Sequence, residues 1–187
     1  MGKSHPRKFG KCLIARKLGE GATAIVYLAR HEGLDIPVAV KVLRKGLSDS
    51  RPEYAERFLR EAHMAARLDH PNLVRVIDCG VENGFHYMVM DYVDGLNCLQ
   101  RLRREPRGLP WREATDIVRQ AASGLAFAAS HGIIHRDVKP SNLMVDRAGR
   151  VRVMDLGLAR LNVKGVAGLT QELRTVGTPN YMSPEQI

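Results

Sequence analysis

His135-Arg136-Asp137-Val138-Lys139-Pro140-Ser141-Asn142, followed by Asp155-Leu156-Gly157, is the stretch on which the reading of this chain turns. It sets two carboxylates, an amide and a lysine along one loop and one short hairpin. Asp137 suits the acceptance of a proton from an attacking hydroxyl, and Lys139 the neutralisation of a phosphoryl group in transfer. Asn142 offers a neutral oxygen and Asp155 an anionic one, hard ligands of the kind Mg2+ takes beside water and phosphate. Between them, residues 143–145 and 151–154 read as paired strands around Asp146-Arg147-Ala148-Gly149.

Upstream, Leu18-Gly19-Glu20-Gly21-Ala22-Thr23-Ala24-Ile25-Val26 is a glycine-rich loop whose backbone N–H groups can approach phosphates closely. A dinucleotide-binding turn is the rival reading. It requires a helix immediately after the loop and an acidic residue about twenty positions on. Here the β-formers Ile25, Val26 and Tyr27 follow, and Lys41 stands where the acid belongs. The loop is therefore expected to be a phosphate-covering β-hairpin. In the strand pattern running from Cys12 to Leu43, Gly33 and Pro37 mark a turn. Val38, Val40 and Val42 then alternate with Ala39, Lys41 and Leu43, which puts Lys41 on the face of Ala39.

A helix should follow, opened by a capping box at Ser50-Arg51-Pro52-Glu53. Its inner stripe reads Tyr54, Phe58, Glu61, Ala65 and Leu68. Glu61 is a carboxylate within an apolar face and needs a partner, for which Lys41 is the obvious choice. Residues 73–79 and 85–92 read as strands joined at Asn83-Gly84. Residues 94–110 look polar, basic and turn-rich. A long helix is expected over about 112–130, with Ala114, Ile117, Val118, Ala121, Leu125 and Ala128 inward. Residues 158–180 lack periodicity and read as a loop. Residues 1–10 are expected to be a flexible lead-in, 11–91 a β-rich unit and 92–187 a helical unit, with a linker near 91–96. The fold class is α+β.

Composition narrows the field. Of the 187 residues, 44% are apolar, enough for a core, and 26% are charged. The net charge of +9 is scattered. Its densest cluster, Arg101, Arg103, Arg104 and Arg107, has no interleaved aromatics to stack bases, so no nucleic-acid partner is expected. The three cysteines, Cys12, Cys79 and Cys98, have no paired spacing and read as ordinary buried thiols of a reducing, cytoplasmic protein. The longest stretch without charge, residues 120–134, is too short and too rich in Ala, Ser and Gly to span a membrane.

The set Gly19-x-Gly21-x-x-Ala24-x-Val26, Val38-Ala39-Val40-Lys41, Glu61, His135 to Asn142, Asp155-Leu156-Gly157 and Ser183-Pro184-Glu185 resembles the protein kinase family over nearly the whole chain from Cys12 onward. Lys139, with Gly177-Thr178-Pro179-x-Tyr181, is similar to the serine/threonine class, and the ending Ser-Pro-Glu-Gln to bacterial members. The resemblance implies a bilobal, kinase-like fold and transfer of the ATP γ-phosphoryl group to Ser or Thr of a protein substrate. It implies Met90 as gatekeeper behind the adenine and backbone hydrogen bonds from Asp91 and Val93. Arg136 would bind a phosphorylated loop, with Thr170 and Thr175 as phosphosites.

Two departures are mild: Leu156 for the usual phenylalanine keeps apolar packing, and Ala24 replaces the third glycine. The third is that the later helices of the family are absent after Glu185, so the chain reads as a fragment. The alanine-rich stripe of the 112–130 helix is then expected to be an exposed patch that promotes self-association. The alternative reading is an inactive ATP-binding regulatory or scaffold module.

Overall fold

In the computed structural model the described residues are 8–50, 52–156 and 181. The chain divides into two compact units between Asp94 and Gly95.

The first unit holds β1 (Lys8–Phe9), β2 (Cys12–Glu20), β3 (Ala24–His31), β4 (Ile36–Leu43), α1 (Lys45–Ser50), α2 (Pro52–Ala65), β5 (Val76–Glu82) and β6 (Phe85–Asp91). They form one antiparallel sheet in the order β1-β2-β3-β4-β6-β5. The period-two pattern of β4 behaves as its sequence demands. Val38, Val40 and Val42 join Tyr27, Ala29, Tyr87 and Val89 in a core cluster, while Lys41 alternates with them and is half-buried. At the β5–β6 turn, Asn83 (φ 52°) and Gly84 (φ 76°) both take left-handed backbone, and Glu82 pairs with Phe85. This is the two-residue turn whose twist matches its strands.

Four local expectations are corrected. Residues 8–10 are not a lead-in. Phe9 is fully buried, its ring 5.6 Å from Tyr87 and edge-on to Phe85 at 6.1 Å, and β1 pairs with β2. One aromatic in a polar stretch suffices to dock the strand. Pro37 does not mark a turn but lies within β4. The ladder to β6 starts only at Val38, so the missing N–H costs no bond there. Ser50 ends α1 and its hydroxyl donates to the Gly46 carbonyl at 2.6 Å, rather than opening the next helix. The buried face of α2 is Ala55, Phe58, Ala62 and Ala65, with Tyr54 and Glu61 half-buried on its flank. Small alanines let the helix lie close to β5 and β6.

The second unit holds β7 (Gly95–Asn97), α3 (Cys98–Arg104), α4 (Trp111–Ser130), a 3-10 turn at Pro140–Asn142, β8 (Leu143–Asp146) and β9 (Val151–Val153). The three strands form an antiparallel sheet, β7-β8-β9. The stretch read as turns thus contains a strand and a helix. Asn97 Oδ1 accepts from the Gln100 N–H at 2.8 Å and Gln100 Oε1 from the Asn97 N–H at 3.0 Å, a reciprocal cap that starts α3. On α4 the buried residues are Ile117, Ala121, Gly124 and Ala128, packed toward β9. Val118, predicted inward, is 65% exposed. Of the predicted stripe Ile117, Ala121 and Ala128 are buried and Ala114 and Leu125 half-buried, so the inner face is rotated from the one the larger side chains suggest. Gln120 fixes the contact: its Oε1 accepts from Val151 N–H at 2.9 Å and its Nε2 donates to Gly149 C=O at 3.1 Å.

Asp146 organises the β8–β9 turn, accepting from the N–H groups of Ala148 at 2.9 Å and Arg150 at 3.0 Å and from Arg150 Nε at 2.8 Å. Burial opposes its ionisation, but the Arg150 N–H and guanidinium and the Ala148 N–H outweigh it and hold the carboxyl below the usual range. A depressed carboxyl contributes stability above its unfolded pKa, roughly 3.9, and loses it as pH falls through the lower folded value. The stability deficit of Asp146→Ser should be full at neutral pH and shrink below about pH 4. Urea midpoints across that window measure it, and a pH-independent deficit would count against the assignment.

Cys12 and Cys98 are buried and Cys79 half-buried, all as free thiols. Burial pushes the Cys12 thiol up to about 11. Among the described residues no helix is long and apolar enough to cross a membrane.

Candidate active site

In the second unit the loop before β8 is locked by His135, which is 3% exposed. Its Nδ1 accepts from the Asp137 N–H at 3.2 Å, so its Nε2 carries the proton and donates to the Met154 carbonyl at 2.9 Å. One neutral ring thus ties the backbone of Asp137 to the residue before Asp155. Arg136 lies between the two anchors with φ 60°, and Asp155 has φ 52°. Left-handed backbone costs a non-glycine residue about 1–2 kcal/mol and persists where surrounding contacts over-determine it. The Asp137 N–H to His135 Nδ1 bond, which spans Arg136, is one such contact.

The side chains of Asp137, Lys139 and Asn142 converge. Lys139 Nζ is 2.7 Å from Asp137 Oδ2, and both side chains are mostly shielded. Asn142, 6% exposed, donates from Nδ2 to the Asp137 carbonyl at 2.9 Å and to Asp137 Oδ2 at 3.2 Å. Two acceptors around the amide nitrogen settle its orientation and turn Oδ1 the other way. The Met154 N–H donates to the Asn142 carbonyl at 2.9 Å, closing the open end of the hairpin. Asp155 is exposed, and Leu156 is buried at 5%, as expected for a residue that keeps apolar packing. Among the described residues no group of three or more His, Cys, Asp and Glu has the arrangement of a metal site.

In the first unit the glycine-rich loop is the β2–β3 hairpin. Gly19 pairs with Val26 and Glu20 with Ile25, and the Gly21 N–H donates to the Ala24 carbonyl at 2.8 Å. A strand follows, which excludes the dinucleotide turn. Neither Gly19 nor Gly21 adopts positive φ, and a Cβ on Gly19 would meet no atom within 4 Å. The protein's own packing does not demand glycine there, whereas an approaching phosphate would. Ala24 begins β3 opposite Leu43 with ordinary φ, so this position tolerates a side chain. Ala22 and Thr23 form the tip, and Leu18 lies at a bulge in β2.

Lys41 is paired with Val26 on β3 and Met88 on β6, and Glu61 is on α2, which packs on β6. Ala39 and Met90 pair with each other and are buried. The Asp91 N–H donates to the Arg75 carbonyl at 3.0 Å, so a contact from Asp91 to a base must come from its own carbonyl. Val93 is buried. Gly157, Thr170, Thr175, Thr178 and Ser183-Pro184-Glu185 lie outside the described residues. Sequence reasoning did not single out Arg44, whose Nε donates to the Gly21 carbonyl at 3.1 Å, or Gln120, which ties α4 to the β8–β9 turn. It also passed over the Asn97-x-x-Gln100 spacing that caps α3, within a stretch that reads as turns.

Residues 13–187 match the protein kinase domain family, and the chain belongs to it. It is 38% identical over 177 residues to the serine/threonine-protein kinase PrkC of Bacillus subtilis (strain 168), covering 95% of this chain and 27% of that protein. It is 42% identical over 186 residues to the serine/threonine-protein kinase PknF of Mycobacterium tuberculosis (strain ATCC 25618 / H37Rv), covering 96% and 38%. The chain therefore spans well under half the length of these relatives. Among solved structures, the Mycobacterium tuberculosis PknI kinase domain aligns with a TM-score of 0.71 at 36% identity, covering 81% of this chain and 61% of that one. The apo form of PpkA-294 aligns at 0.84 over 99% of this chain and 72% of its own, but at 23% identity it speaks for the fold alone.

Proposed function

We propose that the chain acts as a serine/threonine protein kinase of bacterial type, transferring the γ-phosphoryl group of ATP to a protein hydroxyl. The observation that carries this reading is the arrangement about Asp137. Its Oδ2 is held by Lys139 and Asn142, which directs the other oxygen, Oδ1, to the substrate hydroxyl as proton acceptor. The Lys139 ammonium has three donors, so it can keep Asp137 in place and still meet an oxygen of the transferring group. Asn142 Oδ1 and the Asp155 carboxylate are the groups that would hold Mg2+, which when bound neutralises charge on the phosphates.

The β2–β3 hairpin, residues 18–26, covers the phosphates in this reading. Lys41 grips the α- and β-phosphates, steadied by Glu61, and Ala39, Met90, Asp91 and Val93 receive the adenine. Arg136 receives a phosphate carried by Thr170 or Thr175. The protein is cytoplasmic in this reading. Self-association would run through exposed Trp111, Val118 and Ile134 rather than through the buried Ile117, Ala121 and Ala128.

The test is incubation with γ-labelled ATP and a generic protein substrate, followed by phosphoamino-acid analysis and phosphosite mapping of the chain. Label in phosphoserine or phosphothreonine supports the kinase. ATP binding without any transfer would replace this reading with the regulatory module.

A further inference from the structure

We infer that Arg44 is a positioning residue that pins the tip of the glycine-rich hairpin over the nucleotide phosphates. This rests on the nucleotide-binding reading above. Arg44 directly follows β4, and its backbone N–H donates to the Thr23 carbonyl at 2.9 Å, extending the β3–β4 ladder to the hairpin tip. Its side chain then turns back over that tip. Nε donates to the Gly21 carbonyl at 3.1 Å, and the guanidinium pairs with Glu20. The second oxygen of Glu20 pairs with Lys17, so the carboxylate joins cations from β2 and from the end of β4. Lys17 and then Arg44 hold the Glu20 carboxyl below its usual range.

Three backbone or side-chain groups of the tip, at Glu20, Gly21 and Thr23, therefore depend on this one residue. The Arg44 carbonyl in turn accepts from the N–H groups of Leu47 at 2.9 Å and Ser48 at 3.3 Å, the first turn of α1. The hairpin tip is thereby anchored to the segment that leads into α2 and Glu61. Two physical effects follow. A glycine-bearing tip is intrinsically loose, and the guanidinium fork fixes it in one geometry. Glu20 is also an anion beside the expected polyphosphate, and the flanking cations offset its repulsion.

In that reading the base is received at Ala39 and Met90, and Ala39 pairs with Leu28, four residues along β3 from Ala24 at the tip, so the effect should be confined to phosphate-bearing ligands. The experiment is equilibrium titration of the 187-residue chain with ATP and, separately, with adenosine. Arg44→Ala should weaken ATP binding about fivefold, in keeping with one exposed, multiply bonded charge, and leave adenosine binding within about twofold. The ATP deficit should narrow at high salt. Arg44→Lys, which restores charge but not the fork, should recover only part of the lost affinity. Arg44→Gln keeps the bulk and reads the same comparison if the alanine variant does not fold. ATP affinity unchanged in both variants, or ATP and adenosine weakened in parallel, would overturn the proposal. A wild-type chain that binds neither ligand would instead refute the nucleotide reading itself, and the role of Arg44 with it.

Discussion

Asp137→Asn should lower phosphoryl transfer about 10³-fold while nucleotide affinity stays within about twofold of wild type. The reasoning follows from the two oxygens of the carboxylate. Oδ2 lies among donors, the Lys139 ammonium at 2.7 Å and the Asn142 amide at 3.2 Å. An asparagine that keeps its oxygen there must present an NH2 donor where the substrate hydroxyl needs an acceptor. The flipped orientation sets a donor against two donors and leaves Lys139 without an anionic partner. Neither rotamer supplies a base. The loop itself should survive, because the Asp137 N–H to His135 Nδ1 bond and the Asn142 to Asp137 carbonyl bond involve backbone atoms. Initial rates with labelled ATP, set beside ATP titrations, separate the two effects. Transfer within tenfold of wild type would mean that Asp137 is not the proton acceptor.

The largest effect on stability is expected at Gly95. A Cβ built there lies 2.0 Å from the Val145 carbonyl oxygen and 2.8 Å from Asp146 Cα. Both are backbone atoms of β8, so no rotamer change relieves the contact, and β7 must move off its partner. Overpacking costs typically 1–3 kcal/mol, and Gly95→Ala should sit at the top of that range, about 3 kcal/mol. Within a total of roughly 5–15 kcal/mol this is a large share. Gly19→Ala is the contrast: the methyl meets nothing within 4 Å, and the urea midpoint should not move measurably. Unfolding of both variants followed by circular dichroism decides the matter. Equal midpoints would show that β7 yields without cost.

The parts of this protein that were legible in its sequence share a cause. The alternation Val38-Ala39-Val40-Lys41-Val42 and the pair Asn83-Gly84 are local patterns with one structural solution each, and both appear as such. The meeting of Asp137, Lys139 and Asn142 was legible because the three stand at close, fixed spacing on one loop. What stayed hidden depends on contacts distant in sequence. Phe9 is an isolated aromatic until Tyr87 arrives from β6. The face of α4 is chosen by β9 and the Gln120 bonds, and small Gly124 and Ala128 carry it where Val118 looked stronger. The rigidity of Asp137 was only half visible. His135 could be named from the sequence, but not its bond to Met154.

That bond also fixes where the β8–β9 hairpin must end, and so where the hairpin can take an extra residue. The hairpin's open end is stitched by Met154 N–H to the Asn142 carbonyl, and its rungs pair Leu143 with Val153, Met144 with Arg152 and Val145 with Val151. Side chains alternate along each arm, so a lone residue added within one arm shifts every rung beyond it and turns Val151 and Val153, now buried, to the other face. Residues added in matched pairs, one to each arm at the turn, lengthen the hairpin by whole rungs and return the chain to the same place. A lone extra residue is therefore tolerated only in the turn, residues 146–150, beyond the last rung, where it leaves the register of both arms unchanged.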